Sequence, residues 1–152
     1  MRKRIIVLIV ILLVVIGVSV AGFIYDRNDR LIARTTGLVF DEGCTIEKVN
    51  KHGFPFRRAA YEAKISIPHD RPEAVMNAIY ELYGEEGSFM TYAEYYATSN
   101  QIFQGVALVP KVENGSNVWV LGLEFPDKEN VFFFIVSEDS EHAYLYIYYS
   151  RY

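Results

Sequence analysis

Residues 118–149 read VWVLGLEF, PDKEN, VFFFIV, SEDSE, HAYLYIYY: three apolar runs, Val118 to Phe125, Val131 to Val136 and His142 to Tyr149, separated by two five-residue polar connectors. Val, Ile, Phe, Tyr and Trp fit a pleated, half-buried surface, so each run reads as a strand. Connectors this short join antiparallel neighbours, because a parallel pair needs a crossover of a dozen residues or more. The segment is therefore expected to form a meander. A fourth β-prone run, Ile102 to Val109, lies upstream, and Asn114-Gly115 between the two suits a two-residue hairpin turn with positive φ. That turn places Val109 opposite Val120 and Leu108 opposite Leu121.

Register then assigns faces, since side chains alternate along a strand. One face collects Val106, Leu108, Trp119, Leu121, Leu123, Phe125, Val131, Phe133, Ile135, Leu145 and Ile147, large and mostly aliphatic, and is expected to be core. The other has a small centre, Gly105, Ala107 and Gly122, flanked by Phe132, Phe134, Tyr144, Tyr146 and Tyr148, with Glu124 at its edge. Tyrosine joins an apolar ring to a polar hydroxyl and favours surfaces buried part of the time, and such a patch left in water marks a contact site. Phe132, Phe134, Tyr144, Tyr146, Tyr148 and Glu124 are thus the candidate binding residues. Two coverings remain open at this point. Either a protein partner, a second copy or a small ligand in a pocket occupies the face, or Thr35 to Phe56 and Phe89 to Tyr96 fold over it as ordinary core.

Upstream, Ala59 to Ile67 alternates strictly, with Ala59, Tyr61, Ala63, Ile65 and Ile67 on one side and Glu62, Lys64 and Ser66 on the other, the pattern of a strand with one wet face. Pro68 ends it. Asp70 as N-cap, Pro72 in the first turn, Glu73 three residues after the cap and Gly84 as terminator predict a helix with Val75, Ala78, Ile79 and Leu82 on its apolar stripe. Residues Phe89 to Tyr96 are compatible with strand or helix. The fold class expected is α+β, an antiparallel meander sheet packed on one main helix.

Before all this, Ile5 to Ile24 contains only apolar or small residues. As a helix, residues 5–25 would span roughly 30 Å, the thickness of a bilayer's hydrocarbon core. The basic Arg2-Lys3-Arg4 cluster would stay cytoplasmic by the positive-inside rule. The expected organisation is a cytoplasmic tail (1–4), a transmembrane signal-anchor helix (5–25), a juxtamembrane stalk (26–34) and an extracytoplasmic α+β domain (35–152). A cleaved signal peptide, cut after Ser19-Val20-Ala21, is the rival reading, although its apolar core would be about twice the usual ~7–15 residues.

Beyond residue 25 the chain holds 12 Lys and Arg against 19 Asp and Glu, a formal charge of −7, and no basic cluster beyond the pair Arg57-Arg58. Nucleic acid is excluded as a partner on that ground. Cys44 is the only cysteine, so no internal disulfide forms. The sequence has no G-x-S-x-G elbow, Walker loop, H-E-x-x-H or Cys-x-x-Cys, and His52, His69 and His142 lack ligand spacing, so no cofactor, metal or catalytic residue is assigned. Asp41-Glu42 and Glu85-Glu86 read as solvated charge, and Asn114-Gly115-Ser116 matches a glycosylation triplet that is also a common turn. The function expected is a single-pass, membrane-anchored, non-enzymatic binding domain using the aromatic sheet face. The alternative is a small-ligand-binding domain with a pocket on that face.

Overall fold

The computed structural model describes residues 7, 9–17, 27–52, 60–137 and 141–151. In chain order the elements are α1 (Asn28–Thr36), β1 (Thr45–His52), β2 (Ala60–Pro68), α2 (Pro72–Tyr83), β3 (Ser88–Met90), α3 (Tyr92–Ile102), β4 (Val118–Glu124), β5 (Glu129–Ser137) and β6 (His142–Arg151). The strands form one sheet in the order β1-β2-β6-β5-β4-β3, with every neighbouring pair antiparallel. The α+β class and the β4-β5-β6 meander are as the sequence predicts.

Register carries the two faces across the whole sheet. One row runs Leu121, Phe133, Ile147, Ala63, Val49; the adjacent row on the opposite face runs Gly122, Phe132, Tyr148, Glu62, Asn50. The first face is a core closed by α1 and α2, with Leu31, Ile32 and Ile79 packed on Tyr61, Ile65, Phe133, Leu145 and Ile147. Burying a side chain of this kind stabilises the fold by about 1.5–3 kcal/mol.

Several expectations are corrected. Ile102 to Val109 is not a strand, and the pairs Val109 with Val120 and Leu108 with Leu121 do not form. Residues 103–117 have no regular structure, and β4 pairs instead with β3, Phe89 opposite Trp119. The physical reason lies in the backbone. Gly105 holds φ +77°, outside the strand region, and Pro110 cannot donate to a ladder. The Asn114-Gly115 turn does form, with Ser116 N–H donating to Glu113 C=O at 3.0 Å, but no strand precedes it.

Phe89 to Tyr96 divides at Thr91. Its side chain accepts from Glu94 N–H, and Glu94 Oε2 accepts from Thr91 N–H at 2.8 Å, so a capping box ends β3 and begins α3. In α2 the N-cap is Arg71 rather than Asp70, with Pro72 at the first helical position and Gly84 closing the helix at φ +70°. The buried stripe is rotated from the expected one: Val75, Met76, Ile79 and Tyr83 meet the core, while Ala78 and Leu82 are exposed.

Within the stretch read as a polar stalk, residues 28–34 are helical in α1, and Leu31 and Ile32 are buried in the core of the first sheet face. Residues 7 and 9–17 of the expected crossing are helical, and the rest of Ile5 to Tyr25, apart from these, lies outside the described residues, as do Phe54 and Phe56. Among the described residues no helix is long and apolar enough to cross a membrane.

Candidate functional site

The aromatic face that the sequence offers as a contact surface is the floor of a second core. Helix α3 and the 103–117 segment cross it, burying Phe134 to 1%, Tyr146 to 2% and Tyr148 to 8% exposure beneath Tyr95, Phe103 and Val112. The Phe103 ring stands 5.1 Å from both Phe134 and Tyr148 and 6.0 Å from Tyr95, distances at which tilted aromatic pairs attract. Phe132 and Tyr144 are half-buried at the margin, and Glu124 is exposed at the end of β4. The pocket floor expected from Gly105, Ala107 and Gly122 is not formed. Gly105 and Ala107 belong to the covering segment, and the Phe132 ring lies across Gly122, where an added Cβ would meet it at 2.6 Å.

What holds the cover down is a carboxylate. Glu62 stands on the same face of β2 as Lys64 and Ser66, expected to be wet, yet it is only 3% exposed. Its Oε2 accepts from Leu108 N–H at 2.7 Å and Ala107 N–H at 3.0 Å, and Asn50 Nδ2 lies at 3.4 Å. Its Oε1 is 2.6 Å from His52 Nε2. Burial pushes the carboxyl's pKa up, but the hydrogen bonds from Ala107, Leu108, His52 and Asn50 together prevail and hold it below the usual carboxylate range. Two tyrosines add to the seal: Tyr148 donates to Leu108 C=O, and Tyr95 donates to Pro110 C=O at 2.7 Å. Beside them Lys64 Nζ sits 3.7 Å over the Tyr144 ring and 3.5 Å from Glu47, so this margin is a paired cation rather than an open aromatic patch.

Catalytic groupings are sparse. Among the described residues no three His, Cys, Asp or Glu converge to hold a metal ion, and no buried side-chain nitrogen or oxygen lacks a hydrogen-bond partner. Burial, with Asp41 nearby, raises the Cys44 thiol above its ordinary pKa, the opposite of an activated nucleophile. Burial likewise pushes the Tyr83 hydroxyl up to about 12, which keeps it neutral as it donates to Thr36 C=O and anchors α2 to the end of α1.

The open surface lies elsewhere. A groove of about 410 Å³ runs between α2 and the β3 edge of the sheet, walled by Tyr80 and Phe89, floored by Trp119 and flanked by Glu73 and Glu86. Phe89 is 65% exposed and Tyr80 47%, and among the other described rings only Tyr96, also at 47%, is as open. Gly87 allows the chain to press on the indole, for a Cβ there would fall 2.3 Å from the Trp119 ring. A second groove of about 440 Å³, between α1 and the start of β1, is mainly apolar, with Leu38, Val39, Phe40 and Ile46, and its two charges, Asp29 and Arg30, balance.

Sequence reasoning missed both Glu62 and the first groove. A glutamate in an alternating strand reads as solvated, and the groove's residues come from three separate elements. One signal was present: from Pro72 to Pro110 the chain holds five glutamates and no lysine or arginine.

No family model, curated protein or solved structure matches this chain. The class that its own geometry defines is an α+β domain with both sheet faces covered and an aromatic, acidic groove along one sheet edge.

Proposed function

We propose that this chain is a membrane-tethered, non-enzymatic binding domain, with residues 1–4 cytoplasmic, 5–25 crossing the bilayer and the folded body on the far side. The observation that carries the tether is chemical. Val7 and the eight large aliphatic residues from Ile9 to Ile16 are all about half exposed around a helix, with no polar face among them. A helix apolar on every side needs an apolar surrounding, and among the described residues none packs over it. The uncharged run in sequence extends this character over about twenty residues, the length of a crossing.

The binding surface is the groove between α2 and β3 rather than the aromatic sheet face. It supplies exposed aromatic area beside β3, the terminal strand of the sheet among the described residues, a geometry used to recognise other chains. Tethering raises the domain's local concentration for neighbouring membrane components, so a weak surface suffices. Alkaline extraction of membranes holding the full-length protein tests the tether: the protein should remain in the pellet, and its release to the supernatant would overturn the proposal.

A further inference from the structure

We infer that the groove between α2 and β3 receives a lysine-bearing extended segment of a partner protein, its backbone running along the free edge of β3 and its ammonium group lying over the rings between Glu73 and Glu86. The inference rests on the binding-domain reading above and names the partner's chemistry. Three features converge on it. The walls, Tyr80 and Phe89, are exposed aromatic rings, and an ammonium over an aromatic face is attracted by the ring quadrupole. Both flanking acids are available: among the described residues neither Glu73 nor Glu86 has a cationic partner. The surroundings have one sign, because the chain from Pro72 to Ile102, connectors included, carries five glutamates and no lysine or arginine, so the field draws a cation in.

Other occupants fit worse. An apolar helix laid in the groove would strip water from two carboxylates without pairing either. A second copy joined edge to edge about a two-fold axis would bring Glu73 and Glu86 toward their own equivalents, and like charges repel. β3 is the terminal strand of the sheet, and its outer edge can accept an added strand. A volume of about 410 Å³ suits one or two side chains anchoring such a strand.

Trp119 is the chain's only tryptophan and forms the groove floor, so its emission reports on this site alone. The test titrates the full-length protein in a neutral detergent with a capped six-residue peptide of alternating lysine and valine. A glutamate-valine peptide of the same length and n-butylammonium serve as the other two probes. Saturable change in Trp119 emission is expected with the lysine peptide, with no saturation by the glutamate peptide and at least tenfold weaker binding of n-butylammonium. Glu73→Gln with Glu86→Gln should weaken the lysine peptide by roughly tenfold, about half of it from each acid. All four rim residues, Glu73, Tyr80, Glu86 and Phe89, are exposed, so the double variant should melt within a few degrees of the parent, the small loss coming from Glu73 in the first turn of α2.

No response to the lysine peptide, an equal response to the glutamate peptide, or unchanged affinity in the double variant would overturn the inference. Equal affinity for n-butylammonium would also do so, since a free amine would then suffice without the strand. Such failures with the protein still held in alkali-washed membranes would leave the tether standing. Release from those membranes would remove the tether whatever the peptide does.

Discussion

Replacing Glu62 separates two roles that its carboxylate plays, acceptor and charge. In Glu62→Ala the N–H groups of Ala107 and Leu108 lose their acceptor, and His52 and Asn50 lose their shared partner. A donor left unsatisfied costs about 1–3 kcal/mol, and these two are only part-buried, so about 3 kcal/mol is expected in all. For a domain of this size that lowers the melting temperature by roughly 6–12 °C. Glu62→Gln behaves differently. Both N–H groups converge on Oε2, a position the amide oxygen can take, while the amide nitrogen turns to His52 Nε2 as donor. What is lost is the charge assistance, about 1 kcal/mol. Thermal melts of the two variants, with hydrogen exchange at the Ala107 and Leu108 amides, read the difference. Fast exchange of those amides in Glu62→Ala, with slow exchange kept in β5 and β6, would show the cover released from an intact sheet. Equal melting of the two variants, or amides already unprotected in the parent, would refute the reasoning.

Acid should act through the same group. Glu62 is held below its ordinary pKa in the folded state, so the stability it contributes is present above the unfolded value near ~4.3 and is lost as pH falls through the folded value; denaturant melts from pH 6 to pH 3 should fall more steeply for the parent than for Glu62→Gln. Gly87→Ala should cost about 1–3 kcal/mol and shift Trp119 emission, because its Cβ would overlap the indole at 2.3 Å; an unchanged melt would contradict that contact. Thr91→Ala removes the capping box of α3 and should cost about 1 kcal/mol, read by denaturant midpoint and by faster exchange in the first turn of that helix. Phe89→Ser, at an exposed edge position, should leave the midpoint within about 0.5 kcal/mol of the parent while reducing lysine-peptide binding several-fold.

The meander was legible because strand alternation and connector length constrain each other. Leu121, Phe133 and Ile147 fall on one face in any register that keeps the apolar set together, and the structure pairs them so. The partner of β4 was not legible. Ile102 to Val109 has β composition, but composition does not reveal that Gly105 takes positive φ or that the Thr91 capping box commits the preceding residues to a helix. With that strand gone from the sheet, its residues became available to cover the aromatic face, and a face rich in tyrosine became core. Glu62 shows the deeper difficulty. Its burial depends on N–H groups 45 and 46 residues downstream, a pairing that no local pattern encodes. Leu31 and Ile32 were equally hidden, since two adjacent apolar residues in a polar stretch carry no periodicity, yet the sheet's first face needed a second helix to close it.

A tethered binding domain requires the folded body and the basic tail to lie on opposite sides of one bilayer. Protease added to intact cells or spheroplasts measures this directly. Digestion of residues 26–152 down to a small membrane-protected fragment is the expected result. Survival of that body until the membrane is permeabilised would place it on the same side as the cytoplasm and contradict the topology.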